Sequence, residues 1–121
     1  MVAKGYHLAR LVVDDGWVYT TAEMGPTRAL ARAPKTGGDL AIVEPGVRDA
    51  PIAAYGDEMF YFDIAQPELR RVAKAGGASA MVLQTPALAR IDAMAIDASG
   101  IFVGTEGEGG GVMAVPLAPA Q

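Results

Sequence analysis

Short apolar runs separated by turn residues pattern the chain from one end to the other. Leu8–Val13 leads into Asp14-Asp15-Gly16, Trp17–Thr21 follows, then Arg28–Ala33, and after Gly37-Gly38 the run Leu40–Val43. The same alternation continues through Ile52–Tyr55, Met59–Phe62, Leu69–Ala73 and Met81–Leu83, then Ala93–Ile96, Ile101–Val103 and Val112–Val115. Runs of this length bounded by Asp-Gly and Gly-Gly predict strands joined by hairpins, because tight turns need a positive φ that glycine adopts without strain. No segment keeps a 3.6-residue period between caps. Arg28–Arg32 and Pro86–Arg90 each have room for one helical turn, but Pro34 and Pro86 limit any extension. The expected fold class is all-β.

The runs also repeat. Asp-Gly-Trp-Val-Tyr at 15–19 lines up with Asp-Glu-Met-Phe-Tyr at 57–61 and with Ser-Gly-Ile-Phe-Val at 99–103, which places Tyr19, Tyr61 and Val103 at intervals of 42 residues. A second anchor set follows in the same order: Leu30–Gly38 matches Leu69–Gly77, and Val112–Leu117 matches more loosely. Four short antiparallel strands per unit of this length is the sequence signature of a β-propeller blade. One such sheet cannot cover both of its faces, so it must stack on the next, which places Trp17, Tyr19, Phe60, Tyr61 and Phe102 between sheets. Innermost strands crowd an axis, which suits the small residues of Ala53-Ala54-Tyr55-Gly56 and Ala93-Met94-Ala95.

The expectation is therefore β-propeller blades, about three four-stranded units of period 42 in a single partial-propeller domain over 1–121. Blade 1 takes 8–48, blade 2 takes 49–90, and blade 3 takes 91–121 without a last strand. Propellers close with roughly four to eight blades. Two readings follow: a fragment of a longer propeller, or self-association in which two chains pool their blades through the unpaired sheet edge.

Val18-Tyr19-Thr20-Thr21 and Phe60-Tyr61-Phe62-Asp63, followed by Leu69–Gly77, resemble YWTD-type repeats, the class B repeats of low-density-lipoprotein receptors, in the form of a divergent bacterial relative. The resemblance spans nearly the whole chain. The fourth motif position falls on Ala22, Ile64 and Glu106, so the aspartate of that motif is absent, and Asp63 sits one place early. The resemblance implies a propeller and an extracytoplasmic location, periplasmic or secreted.

Composition narrows the function classes. Half of the 121 residues are apolar and the net charge is -4, with seven scattered arginines, so no basic stripe offers itself to nucleic acid. No stretch reaches the roughly 20 apolar residues that a spanning helix needs, so membrane insertion is not expected. With no cysteine, disulfides, thiolate metal sites and cysteine nucleophiles are excluded.

Candidate chemistry is sparse. Gly104–Val112 is glycine-rich, but a phosphate loop needs a following helix, whereas Val112–Val115 reads as strand and Glu106 and Glu108 repel an anion. Gly77-Ala-Ser79-Ala-Met81 lacks the last glycine of a nucleophile elbow, and His7 is the sole histidine. Asp14, Asp15, Asp57 and Asp97 fall in first-to-second-strand turns, where aspartate hydrogen-bonds the turn backbone. Arg32, Lys35, Arg70, Arg71 and Lys74 sit on or beside third strands and read as solubilising charge. Calcium-dependent lactonase propellers use asparagine ligands, and this chain has none.

No catalytic, cofactor-binding or metal-binding residue is assigned, and no cofactor is expected. The reading is a non-catalytic module that presents loops to a protein, peptide or glycan. The loop-face candidates are His7, Glu23, Met24, Arg48, Asp49, Gln66, Glu68, Arg90, Glu106 and Glu108. Two alternatives stand beside it: a fragment of a hydrolase or lactonase propeller whose active-site residues lie partly in further blades, and a structural spacer.

Overall fold

The computed structural model describes residues 7–24, 27–48, 51–63, 68–84, 91–105 and 111–115. Every regular element among them is a strand: β1 (His7–Val13), β2 (Trp17–Met24), β3 (Thr27–Pro34), β4 (Ala41–Pro45), β5 (Ile52–Tyr55), β6 (Glu58–Asp63), β7 (Glu68–Ala73), β8 (Ala80–Gln84), β9 (Ile91–Asp97), β10 (Gly100–Thr105) and β11 (Val112–Val115). The chain is all-β, and Arg28–Arg32 lies within β3 rather than in a helical turn.

The strands form three antiparallel sheets whose spatial order follows the sequence. Sheet 1 is β1-β2-β3-β4, sheet 2 is β5-β6-β7-β8 and sheet 3 is β9-β10-β11. Each is a meander whose first hairpin closes on a two-residue turn. Tyr55 pairs with Glu58 around Gly56-Asp57, and Asp97 with Gly100 around Ala98-Ser99. The Asp14 amide donates to the Trp17 carbonyl around Asp15-Gly16. Gly56 takes φ +59, where a side chain would strain the turn.

The sheets stack in the order 1, 2, 3, and β5 touches both β1 and β9. Sheet 2 is thus covered on both faces. Met59, Tyr61 and Val72 pack with Tyr19, Leu30, Val43, Val47 and Ile52 between sheets 1 and 2. Phe60, Phe62 and Leu69 pack with Ile101 and Val103 between sheets 2 and 3. The alternation along β6 sends successive side chains to opposite layers, so all of Met59, Phe60, Tyr61 and Phe62 are buried.

The turns correct the repeat alignment by one residue. Asp15-Gly16, Gly56-Asp57 and Ala98-Ser99 occupy equivalent turns, spaced 41 and then 42 residues apart. Pairing agrees: Tyr19 opposes Val12 and Arg32, while Phe60 opposes Ala53 and Arg71. Tyr19 is therefore the counterpart of Phe60, not of Tyr61. A slip of one residue reverses the face, and the two tyrosines meet in one layer from opposite sheets. Between sheets 2 and 3 the interval of 42 holds, with Tyr61 matching Val103.

One of the five aromatic residues expected between sheets is placed differently. Trp17 packs on the first core but is half-buried. Phe102 opposes Ala95 on the face of sheet 3 turned away from sheet 2, and is only half-buried.

Candidate interaction end

The meander gives every sheet two ends. One, here the turn end, carries the β1–β2, β5–β6 and β9–β10 turns with the β3–β4 and β7–β8 connections. The other, the loop end, carries the start of β1, the β2–β3 and β6–β7 connections, and the passages from sheet to sheet.

At the turn end Asp14 and Asp97 are engaged within the fold, while Asp15, Asp39 and Asp57 are exposed. Asp14 Oδ1 accepts from the amides of Gly16 (3.0 Å) and Trp17 (2.9 Å). Asp97 Oδ1 accepts from the Ser99 amide (2.8 Å) and hydroxyl in the same way. Both hydrogen bonds favour the carboxylate and hold Asp97 below its ordinary pKa. Turn capping by aspartate thus occurs at Asp14 and Asp97, each just before its turn.

Asp14 does more than cap. Its Oδ2 accepts from the Tyr19 hydroxyl (2.8 Å) and from Lys74 Nζ of sheet 2 (2.9 Å), clamping two sheets together. Burial alone would raise its pKa, but Lys74, the Tyr19 hydroxyl and the two amides outweigh it and hold the carboxyl far below its usual range. Burial, with the Asp14 charge beside it, pushes the Tyr19 phenol up to about 12. Lys74 also lies 5.7 Å from the Tyr19 ring centroid, and Arg32 stacks 3.7 Å over Trp17.

A second polar group crosses the same layer nearer the outer strands. The Tyr61 hydroxyl donates to Glu44 Oε2 of β4 (2.8 Å). Arg70 donates from Nη1 to Glu68 Oε1 (2.7 Å) and from Nη2 to Ser79 Oγ (3.0 Å). Burial raises the Tyr61 pKa, and Glu44 adds to the shift. Arg70 and Lys74 were expected to solubilise an exposed face. Both are instead largely buried, Lys74 against Asp14 of sheet 1 and Arg70 against Glu68 and Ser79 of its own sheet, because the stem of each can pack while its charge finds an acid.

The loop end is different. His7 begins β1 opposite Glu23, and Met24 closes β2 opposite Thr27. Glu23 is exposed and sits 3.9 Å from the exposed Arg28 across the β2–β3 pair. Arg48, also exposed, follows β4. His7, Glu23, Met24 and Arg48 thus gather at one end of sheet 1, though His7, Glu23 and Met24 lie on strand ends rather than in loops.

Glu68 departs from expectation. It starts β7, is about nine-tenths buried, and is held by Arg70 and Gln84. Asp49, Gln66, Arg90, Glu106 and Glu108 lie outside the described residues. Arg28 was not among the expected site residues, although the five-residue spacing from Glu23 across Gly25-Pro26 signals a cross-hairpin pair.

Chemistry on the described residues is limited by placement. Ser79 sits at the turn end under Arg70, while His7 begins β1 at the opposite end, so nucleophile and base are not brought together. Among the described residues no three acidic or histidine side chains group as metal ligands. β10 and β11 are antiparallel, so strand rather than helix follows Gly104–Gly111, and no helix N-terminus faces that loop. No protein-family model matches the chain, and no curated protein matches it.

Proposed function

We propose that the three sheets are consecutive blades of a β-propeller and that the protein is a non-catalytic binding module using the loop end of those blades. Exposed charges of both signs gathered at the loop end of sheet 1 carry this reading. At the turn end Asp14, Asp97 and Lys74 are committed to turn backbone or to the next sheet. At the loop end Glu23, Arg28 and Arg48 are exposed, and the sole ion pair between two of them is 3.9 Å long, a weak solvent-exposed contact. Serial stacking, with β5 between β1 and β9, agrees with blades arranged about an axis.

A surface with both charge signs suits a polar partner: a peptide with charged side chains, a protein surface or a glycan. The test is binding to peptide and glycan arrays by the wild type and by Glu23→Ala/Arg48→Ala. Loss of specific signals in the variant, with an unchanged unfolding curve, is the expected result. Binding untouched by that variant would remove the loop end as the site.

A further inference from the structure

Asp14 and Asp97 commit their carboxylates to turn backbone. The Asp15 carboxylate, exposed in the β1–β2 turn, takes part in no hydrogen bond or ion pair among the described residues. Gly16 follows it, and Asp15-Gly16 is the one Asp-Gly pair in the chain. Every other aspartate precedes a residue with a side chain, Leu40, Glu58 and Ala98 among them. The fold does not require a glycine at position 16. Its φ lies outside the left-handed region, and a Cβ there would meet nothing within 4 Å.

What glycine changes there is the chemistry of its backbone nitrogen. In an Asp-Gly pair that nitrogen can attack the side-chain carbonyl carbon of the aspartate, because no side chain on the next residue crowds the approach. A C–N bond forms, and one carboxyl oxygen leaves as water with the amide proton and a proton from the acid. A five-membered succinimide remains. Water then opens the ring at either carbonyl. One cleavage restores aspartate; the other gives isoaspartate, whose backbone runs through the side-chain carboxyl. Water is the only species lost or gained. In the folded chain the Gly16 amide donates to Asp14 Oδ1 (3.0 Å), and the Gly16 carbonyl accepts from the Lys35 amide (3.0 Å). Ring closure turns the Gly16 N–H away from Asp14. The carboxylate that clamps sheets 1 and 2 therefore also guards this amide.

We infer that Asp15-Gly16 is a self-modification site gated by Asp14, and that its conversion to isoaspartate releases the clamp between sheets 1 and 2. Closure consumes the Gly16 N–H, and isoaspartate adds a methylene to the turn backbone. Two further bonds span that turn: the Asp14 amide donates to the Trp17 carbonyl (3.0 Å), and the Trp17 amide donates to Asp14 Oδ1 (2.9 Å). A longer turn misaligns both. Asp14 Oδ2 belongs to the same carboxylate, so its bonds to the Tyr19 hydroxyl and Lys74 Nζ loosen with them. The chain thus carries a slow chemical clock at the turn end, read out as a weakened seam. Glu23 and Arg48 stand at the opposite end, so the site works independently of loop-end binding.

Prolonged incubation of the folded chain in heavy-oxygen water near neutral pH, followed by peptide mapping and labelling with an isoaspartyl methyltransferase, tests this. Isoaspartate accumulating at position 15 with one heavy oxygen, and not at Asp97, is the expected result. Gly16→Ala, which the open space at that position accommodates, suppresses it in a protein that stays folded. Asp14→Ala frees the amide and speeds it about tenfold, as expected for losing one hydrogen bond to a charged acceptor. Lys74→Met loosens the same seam but leaves the Oδ1 cap, so the wild-type rate persists. The isoaspartate form, separated by chromatography, unfolds at lower urea than its parent. The inference is overturned by no accumulation at position 15 or by accumulation undiminished in Gly16→Ala. Equal rates in Asp14→Ala and wild type, a rise in Lys74→Met matching that of Asp14→Ala, or an isoaspartate form as stable as its parent also overturns it.

Discussion

Replacing Lys74 by methionine keeps a long apolar stem between sheets 1 and 2 and removes only the ammonium group. Lys74 Nζ stands 2.9 Å from Asp14 Oδ2, with the two side chains 19% and 23% exposed. A fully exposed pair contributes about 0.2–1 kcal/mol, and removing one partner of a fully buried pair costs about 3–5 kcal/mol. This pair lies between those limits. Asp14 keeps the Tyr19 hydroxyl and two amides as donors, which places the cost of Lys74→Met low in the interval, at about 1.5 kcal/mol. Asp14→Ala removes the turn cap as well and orphans the hydroxyl of buried Tyr19, for about 3 kcal/mol. Urea unfolding near neutral pH, followed by the fluorescence of the single tryptophan, Trp17, reads both values. Because the Asp14 pKa is depressed in the fold, its contribution is complete above the unfolded value of about 3.9 and fades as pH falls toward the folded one. The stability gap between wild type and Asp14→Asn should therefore close below about pH 4. An unchanged midpoint for Lys74→Met, or a gap that stays constant into acid, would refute the clamp.

Other outcomes follow from the same packing. The neutral Tyr19 phenol is favoured in the fold, so ultraviolet titration should show one tyrosine ionising near 12, with its stabilisation complete below the ordinary value of about 10 and lost above that. Tyr61→Phe removes the hydrogen bond to Glu44 and costs about 1 kcal/mol in the same unfolding assay. Phe60→Ala, buried between sheets 2 and 3, costs about 3–5 kcal/mol. Gly76 has φ +98 and a Cβ there would stand 3.3 Å from the Val43 carbonyl oxygen, so Gly76→Ala combines backbone strain with crowding at the seam. It should lower stability by about 1–3 kcal/mol.

Strand placement was legible because the chain punctuates itself. Ala-Gly-Gly, Asp-Gly and Gly-Asp leave few ways to divide the apolar runs, and each run became one strand of a meander. The face of each strand was harder to read. Matching Tyr19 to Tyr61 by identity is natural, yet Asp15-Gly16 and Gly56-Asp57 are equivalent turns, and that single residue decides which layer each ring enters. Turn geometry fixes register, and residue identity does not. The fates of Lys74 and Arg70 were also hidden. A charged residue beside a third strand looks solvated until the partner acid, Asp14 sixty residues away or Glu68 two residues away, is known to face it. At the loop end, Glu23 and Arg48 were legible as exposed strand-end and loop charge. Glu68 was not, because burial with Arg70 depends on stacking against sheet 1.

The binding account is tested most directly by residue-resolved NMR of the chain titrated with the strongest peptide or glycan from the arrays. Saturable shifts at the backbone amides of His7, Glu23, Met24, Arg28 and Arg48, with Asp15–Trp17 and Gly37-Gly38 unmoved, are the predicted result. Shifts centred on Asp15–Trp17 and Gly37-Gly38 would contradict it.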